Sequence, residues 1–332
     1  MMKPPSLAVY TTTTVPYGYK QNLLQGFGLP IEKDGSFNKV TYHNQNNTID
    51  TTHSIIFNYQ NPDNRNNLGK PLRPGLDLRI SVFDKHKEDG KIWFFDSDVL
   101  VAYSKHHQHD DETYVRIAYS KIYPNVARYF NENSDDKRWN KMAQIKDIRL
   151  KDYDGSGDQI YICCNRGSAG YSGLGVNAAD WAIETATKFR QDTDRNIVIR
   201  QHKSSGYPQY MSDFQKLSKF ASDNQNITIH SPKFNFPDLI SEIRKSYAVV
   251  VFTSSAGAPA IIEGKPLYVC NETSHLAPMN CGDLNTIEKP NIPDRQQWLN
   301  DLGYAHWSLN EIRNGEYWAR VKDQILKEHD GQ

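Results

Sequence analysis

Polar and cationic side chains follow four short apolar segments in the second half of the sequence. The segments are QIYICC, NIVIRQH, ITIH and AVVVFTSS. The polar groups at or just beyond their ends are Asn165, Arg166, Ser168, Arg200, His202, Lys203, His230, Thr253, Ser254 and Ser255. In an open α/β sheet, the carboxyl ends of parallel strands meet at one edge, where ligands bind. Guanidinium, ammonium and hydroxyl groups gathered there favour an anionic ligand.

The stretch VVVFTSSAGAPAIIEGKPLYVC makes this prediction more specific. Small residues at Ser254, Ser255 and Gly257 allow a sharp turn between an apolar strand and a short predicted helix. Backbone N–H groups at a helix N-terminus attract negative charge, and serine hydroxyls can donate to phosphate oxygens. The pattern therefore predicts a phosphate site, and the alternative is an ordinary helix cap.

A glycine-rich loop, NRGSAGYSGLG, follows the first of these segments. It has no G-x-G-x-x-G directly after the strand and no G-K-[ST], so it is typical neither of a dinucleotide dehydrogenase nor of a P-loop enzyme. Its length is typical of a functional loop in a compact domain.

Two carboxylates in the first half are candidates for proton transfer. Asp96 and Asp98 follow the apolar run IWFF, and their i, i+2 spacing puts them on one face of a strand. A general base must lie within hydrogen-bond reach of the hydroxyl that it deprotonates. His53 is a third candidate base. The alternatives are a turn-capping aspartate pair and a structural histidine.

The elements that must position these residues differ between the two halves. Beyond residue 158, strand and helix patterns alternate, which predicts a parallel sheet with helices on both faces. Up to about residue 150, the chain has short apolar runs that predict strands: Leu7–Tyr10, Ser54–Tyr59, Leu78–Phe83, Ile92–Phe95 and Val99–Tyr103. The polar, Gly-containing segment KDYDGSGD, Lys151–Asp158, predicts a linker between two domains.

Composition limits the possible classes of function. The chain has 332 residues, with 39 basic and 39 acidic side chains, so no overall positive field attracts a polyanion. Its four cysteines have neither disulfide-framework nor zinc-site spacing. There is no apolar run of about 18 residues and no signal-peptide pattern. We expect a soluble, cytoplasmic protein, monomeric, with no metal and no permanently bound cofactor.

The segment FTSSAGAPAIIEGKPLYV resembles the donor-binding domain of GT-B-type glycosyltransferases of the capsule and Kdo transferase type, an architecture shared with UDP-N-acetylglucosamine 2-epimerases. IVIRQH resembles the strand that precedes it in those families. The resemblance implies two Rossmann-like domains with a cleft between them. We expect an acceptor domain at 1–150, a nucleotide-sugar domain at 151–300, and a C-terminal helix at 301–332 that packs back on the first domain.

The same resemblance implies a nucleotide-sugar donor, held without metal. Its diphosphate would contact Arg166, Ser168, Arg200, His202, Lys203, Ser254, Ser255 and Gly257. Many relatives carry a ribose-binding Glu four residues after the second Ser, where this chain has Pro259. Glu263 lies one helical turn later and is the candidate for the ribose, with a solvated helix-end charge as the alternative.

Five segments of the sequence, in this order, resemble glycosyltransferase-like proteins of T-even-type bacteriophages: WFFDSDVL, YSKIYPN, RW, ICCNRGSAGYSG and DRNIVIRQH. This resemblance implies transfer from a UDP-sugar, such as UDP-arabinose or UDP-glucose, to 5-hydroxymethylcytosine in double-stranded DNA, within the host cytoplasm. The groups that would then meet DNA phosphates are KHHQHDDE (105–112), Arg116, Lys121, Arg128, Lys137 and Arg138, and those that would stack on a base are Tyr17, Tyr19 and Phe27.

Three alternatives stay open. The chain could be a surface-polysaccharide glycosyltransferase, a UDP-sugar epimerase, or a non-catalytic module that binds nucleotide-sugar or DNA. Activity on glycans, turnover without an acceptor, and binding without transfer distinguish them.

Overall fold

The chain folds into two compact units. The computed structural model describes residues 4–11, 18–57, 76–104, 113–119, 128–165, 176–203, 210–232 and 237–331. The first unit consists of Met1–Asp98, Ser104–Met142 and Leu299–Gln332, and the second of Val99–Tyr103 and Ala143–Trp298. The chain divides at 142/143 and 298/299, a few residues before the expected boundaries at 150 and 300.

The first unit contains a six-stranded mixed sheet. Its strands are β1 (Ser6–Tyr10), β2 (Lys39–His43), β3 (His53–Phe57), β4 (Ile92–Ser97), β5 (Tyr114–Tyr119) and β11 (His306–Ser308). Their order in the sheet is β11-β5-β4-β3-β1-β2. The four strands β1 to β4 are parallel, β5 is antiparallel to β4, and β11 is antiparallel to β5.

Helices of the first unit come from both ends of the chain. They are α1 (Gly18–Asp34), α2 (Leu76–His86), α9 (Leu309–Arg313) and α10 (Glu316–His329). Two further helices, α3 (Lys137–Lys146) and α8 (Gln296–Ala305), contain the boundaries at 142/143 and 298/299. Alternate residues of the strands face opposite sides of the sheet. On one side, Val9, Trp93 and Ile117 pack with side chains of α1, α9 and α10, including Phe27 and Trp318. On the other side, a second core includes side chains of α2. The aromatic C-terminal segment is therefore part of the core of the first unit.

The second unit contains a five-stranded parallel sheet. Its strands are β6 (Gln159–Cys163), β7 (Asn196–Arg200), β8 (Ile227–His230), β9 (Ser246–Val251) and β10 (Leu267–Val269), in the order β10-β9-β6-β7-β8. If β6 to β10 are numbered one to five along the chain, their order across the sheet from β8 to β10 is 3-2-1-4-5, which is the Rossmann arrangement. The predicted α/β class with two Rossmann-like units is confirmed.

The helices that connect these strands are α4 (Ala178–Asp192), α5 (Tyr210–Asp223), α6 (Leu239–Lys245) and α7 (Gly257–Ile262). The chain returns from β8 to β9 on the other side of β6, so right-handed connections put α4 and α5 on one face of the sheet and α6 and α7 on the other. Trp181, Ala182, Ala186 and Phe189 of α4 are buried against the sheet, as their helical spacing predicts.

The predicted linker Lys151–Asp158 is instead a segment packed against the second unit. Its backbone N–H groups at Lys151 and Asp154 donate to the carbonyls of Ile262 (3.0 Å) and Gly264 (2.7 Å). The buried Lys265 ammonium donates to the Asp154 carboxylate (2.9 Å), and this hydrogen bond lowers the pKa of Asp154. Polar, glycine-containing composition is typical of linkers, but it also allows close backbone contact, which is its use here.

Two strands predicted in the first half are wrong. Leu78–Phe83 lies inside helix α2. Its sequence alternates apolar and polar residues, as a strand does, while Leu78 and Val82 also have the i, i+4 spacing of a helix and both are buried. The run Val99–Tyr103 ends in a 3-10 turn, Val101–Tyr103, which has no fully buried residue. No helix in the described ranges is long and apolar enough to cross a membrane.

Candidate functional site

The second sheet has its topological switch point between β6 and β9, where connections leave in opposite directions. Asn165 follows β6 and Thr253 follows β9. The Asn165 side-chain amide donates to Thr253 Oγ1 (2.7 Å), and its oxygen accepts from the Thr253 backbone N–H (3.3 Å). These two hydrogen bonds join the carboxyl ends of the two strands at the place where Rossmann-type units bind nucleotides.

The turn after Thr253 is compact and has its hydroxyl groups at the surface. Ser255 is exposed and Ser254 is half-buried, with Ser254 Oγ accepting from the Ala256 backbone N–H (3.4 Å). The N-cap of α7 is Ala256, without a side-chain cap bond, and the Ser254 hydroxyl instead closes the turn just before the helix. A Cβ atom at Gly257 would lie 2.7 Å from Leu276, which explains the need for glycine there.

Cationic groups lie beyond the neighbouring strand β7. Lys203 is exposed and His202 is half-buried. Arg200 Nη1 donates to Tyr161 Oη and to the Pro237 carbonyl, both at 2.9 Å. Arg200 is therefore anchored at the carboxyl edge of the sheet. Arg166 and Ser168 belong to the glycine-rich loop and lie outside the described residues.

Glu263 has a different environment from the one that a ribose contact requires. It is 3% exposed and ends α7. Arg244 donates to both carboxylate oxygens (2.8 and 3.1 Å), Tyr103 donates to Oε1 (3.1 Å), and Lys151 also donates. Burial would raise the pKa of Glu263, but the hydrogen bonds from Arg244, Lys151 and Tyr103 outweigh it and lower the pKa. We therefore correct the expected ribose contact to an internal ion-pair cluster.

In the first unit, a row of polar residues crosses three neighbouring strands. Asp96 at the carboxyl end of β4 lies opposite Arg116 of β5, and Arg116 lies opposite His306 of β11. Residues directly opposite each other share a face of the sheet. Arg116 Nη2 donates to Asp96 Oδ2. Asp98 lies just after β4, with Oδ1 3.5 Å from His306 Nε2. The two predicted carboxylates are thus brought together with a guanidinium and an imidazole.

Asp96 and Asp98 differ in exposure. The Asp96 side chain is 38% exposed and that of Asp98 is 7% exposed. His306 is fully buried, and its Nδ1 lies 2.8 Å from the Leu302 carbonyl, which fixes this nitrogen as the donor. Its other nitrogen therefore faces Asp98. Of the two carboxylates, only Asp96 has the solvent access that proton exchange with a substrate requires.

His53 does not belong to this cluster. It is the first residue of β3, at the amino edge of the sheet, whereas Asp96 lies at the carboxyl edge. It is 0% exposed and packs against Phe37, Trp93 and His329. Burial, with the nearby Lys91 charge, lowers its pKa well below the ordinary value. The expectation of a catalytic His53 is corrected to a core histidine because no substrate hydroxyl reaches a fully enclosed ring.

Several residues expected to contact DNA have internal roles. Phe27 is buried in the core, and Arg116 is 7% exposed. Arg128 forms a two-point ion pair with Glu328 (2.7 and 2.6 Å), and Arg138 forms one with Glu311 (3.2 and 2.9 Å). Lys137 is exposed. Tyr17, Lys121 and the segment 105–112 lie outside the described residues, as does the side chain of Tyr19.

Sequence reasoning missed His306, the Asn165–Thr253 pair and the partners of Glu263. Each of these contacts joins residues far apart in the chain, so no local spacing signals it. Within the described part of the chain, no group of three or more His, Cys, Asp or Glu side chains could hold a metal ion.

Comparisons with known proteins find similarity among solved structures. No protein-family model and no curated protein sequence matches the chain. The chain is similar to the beta Kdo 2,7 transferase KpsC of Thermosulfurimonas dismutans, with a TM-score of 0.46 and 12% identity over 96% of this chain and 100% of that chain. It is also similar to the UDP-GlcNAc 2-epimerase of Methanocaldococcus jannaschii, solved with UDP-GlcNAc and UDP, with a TM-score of 0.28 and 11% identity over 80% of this chain and 60% of that chain.

Proposed function

We propose that the protein is a glycosyltransferase that uses a nucleotide-sugar donor. The observation that carries this proposal is the switch point of the second unit. There, Asn165 and Thr253 join β6 to β9; Ser254 and Ser255 follow β9, and the exposed Lys203 follows the neighbouring strand β7. Such an edge suits a nucleoside diphosphate. The resemblance of FTSSAGAPAIIEGKPLYV to nucleotide-sugar-binding domains supports the same ligand.

The donor diphosphate is bound by hydroxyl, backbone and cationic groups of this edge. Lys203, with Arg166 and Ser168 of the adjoining loop, offsets the charge that develops on the leaving diphosphate. Arg200 contributes positive charge from its anchored position.

Asp96 acts as the general base on the acceptor. It removes the proton from the acceptor hydroxyl while that oxygen forms a bond to the anomeric carbon of the sugar. The bond from the anomeric carbon to the terminal phosphate oxygen breaks, and the nucleoside diphosphate leaves with the electron pair. This displacement inverts the anomeric centre.

We further propose UDP as the nucleotide and the hydroxymethyl group of 5-hydroxymethylcytosine in double-stranded DNA as the acceptor. The resemblance of WFFDSDVL, ICCNRGSAGYSG and DRNIVIRQH to phage glycosyltransferase-like proteins supports this choice. The enzyme would then act in the cytoplasm of the infected host.

The test is mass spectrometry of nucleosides after incubation of the pure protein with hydroxymethylcytosine-containing DNA and a panel of UDP-sugars. A pentose or hexose mass gain on the modified nucleoside, absent from unmodified DNA, is expected. Calorimetry with UDP is the parallel measurement. UDP binding without any mass gain would redirect the search to glycan acceptors, and conversion of the nucleotide-sugar without acceptor would identify an epimerase. Absence of both binding and transfer would refute the proposal.

A further inference from the structure

Asp96 is a carboxylate with a hydrogen bond to each of its oxygens. Oδ1 accepts from the Ser97 backbone N–H (2.7 Å), and Oδ2 accepts from Arg116 Nη2. An ionised carboxylate has about four lone-pair sites on its two oxygens, so sites for a further donor remain. The side chain is 38% exposed, which gives an acceptor hydroxyl access to those sites. The two internal donors therefore hold the carboxylate without saturating it.

Of these two donors, the Arg116 guanidinium is the one held by tertiary structure. Arg116 lies opposite Asp96 on β5, which has a neighbouring strand on each side. The two residues continue the face of the sheet on which Phe94 and Ala118 are buried. The guanidinium lies 5.8 Å from the ring of Tyr129, which packs against the same core. Because Arg116 is only 7% exposed in this setting, it holds Oδ2 of Asp96 in one place.

Arg116 itself is out of reach of a substrate. Its Nε and Nη1 groups are fully enclosed, with no acceptor in the part of the chain that the structure describes, and Nη2 donates to Asp96. The enclosed N–H groups cannot bind a ligand, for the same reason that His53 is excluded as a base. Any contribution of Arg116 to catalysis must therefore act through the Asp96 carboxylate.

Orientation explains this pair better than charge does. Asp98 also contributes to the electrostatic environment of Arg116, and its Oδ1 lies 3.5 Å from His306 Nε2, so the charge here is spread over several groups. Geometry is the stricter requirement. A general base must lie within hydrogen-bond reach of the proton that it removes, and a displacement of about 1 Å can cost about 10²-fold in rate.

We propose that Arg116 is a positioning residue, which orients the Asp96 carboxylate toward the acceptor hydroxyl and contacts neither donor nor acceptor. A solvent-exposed aspartate without this partner exchanges between rotamers, and only some of them point at the acceptor. This inference rests on the proposed function, in which Asp96 is the base, and it adds the group that keeps the base in a productive orientation.

A double-mutant cycle tests whether Arg116 acts through Asp96. We expect Arg116→Met to lower kcat for transfer to hydroxymethylated DNA about 10- to 100-fold, with KM for the UDP-sugar unchanged. In an Asp96→Asn background, the same substitution should change kcat by less than about twofold, because the base that it positions is already absent. A purely structural role gives the same fold-loss in both backgrounds, and that result would overturn the proposal.

Arg195→Met is the matched control. Arg195 also pairs with a partly exposed carboxylate, that of Glu288, and its guanidinium lies 3.6 Å from the centre of the Tyr247 ring. It therefore resembles Arg116 in its contacts but has no candidate base as its partner. We expect its kcat to stay close to that of the wild type, and its effect to be the same with Asp96 or Asn at position 96.

Arg116→Lys separates orientation from charge. Lysine keeps the positive charge but replaces the planar fork of fixed donors by a flexible ammonium group. If Arg116 orients Asp96, the lysine variant should keep most of the kcat loss of Arg116→Met. Restoration of the wild-type kcat by lysine would show that charge suffices, and the positioning role would be wrong.

Crystal structures make the proposal testable without activity. The Asp96 side chain should occupy one rotamer in the wild type and more than one in Arg116→Met, or in Arg116→Lys if the methionine variant does not fold. The same single rotamer in wild type and variant would overturn the positioning role. An inactive wild type would instead refute the proposed function, and the two structures would still decide whether Arg116 orients Asp96.

Discussion

At the scale of single residues, the roles of the two carboxylates after β4 can be separated. Asp96 is the more exposed, whereas Asp98 faces the buried His306. We expect Asp96→Asn to lower kcat by about 10²- to 10⁴-fold, the contribution of a positioned general base, without weakening UDP binding. Steady-state kinetics and calorimetry measure the two effects. The control is Asp135→Asn, at an exposed aspartate that pairs with Lys137. A loss of less than threefold in Asp96→Asn would exclude it as the base.

Glu263 gives a second prediction at this scale. Its buried carboxylate is held by Arg244, Lys151 and Tyr103, so removing its charge leaves two cations without their partner. Because the Arg244 and Lys151 side chains are 54% and 45% exposed and regain water, we expect Glu263→Gln to lower the free energy of unfolding of the second unit by about 1.5–3 kcal/mol, the range for hydrogen bonds to charged groups. Glu288→Gln, at a carboxylate that is 42% exposed and paired with Arg195, should cost less than about 1 kcal/mol. Urea denaturation gives both values. A ribose role would instead appear as weaker UDP binding at nearly unchanged stability.

The sequence indicated candidate site residues by their type and spacing, but it did not indicate which other side chains contact them. Asp96 and Asp98 were identified from a strand end and their spacing, and both lie there. His53 and Glu263 fitted the expected chemistry by residue type but are enclosed by side chains from distant parts of the chain. Burial of this kind depends on tertiary contacts, which a single sequence does not reveal.

At the scale of elements, the segment Lys151–Asp158 depends on close backbone packing. A Cβ atom at Gly157 would lie 2.1 Å from the Ser246 backbone, whereas one at Gly155 would lie 3.5 Å from Tyr247, an ordinary contact. We expect Gly157→Ala to lower the free energy of unfolding by about 1–3 kcal/mol through overpacking. Gly155→Ala, the matched control, should change it by no more than about 0.5 kcal/mol. Equal denaturation midpoints for the two variants would show that the segment does not stabilise the second unit.

The elements of the second unit were predictable because its strands are apolar runs separated by amphipathic helices. In α4, for example, the buried Trp181, Ala182, Ala186 and Phe189 recur at helical spacing, a signal that the sequence contains without any tertiary information. In the first unit, the sequence of α2 alternates apolar and polar residues as a strand does. Strand β11 is only three residues long and pairs with β5, which lies almost two hundred residues earlier in the chain. Short elements fixed by such long-range pairing have no local signal.

At the scale of the whole molecule, buried histidines couple the stability of the first unit to pH. Burial lowers the pKa of His53 and of His86, so folding favours the neutral form of both rings. Below about pH 6.5 the unfolded chain binds more protons at these sites, so the free energy of unfolding falls by up to about 1.4 kcal/mol per pH unit per histidine. Denaturation between pH 7.5 and pH 5 measures the slope. His53→Phe should reduce it, and an unchanged slope in this variant would contradict the prediction.

The discontinuity of the first unit has a consequence for biosynthesis. A chain leaves the ribosome from its N-terminus, and domains generally fold as they emerge. Here Trp307, Tyr317, Trp318 and Ile325, which belong to the core of the first unit, are translated after the whole of the second unit. We therefore expect the second unit to fold first, while one face of strands β1 to β5 is covered only by α1. The nascent protein would need protection from aggregation at its oldest segment, and a chain that stops before Leu299 would keep a folded second unit beside an unfinished first one.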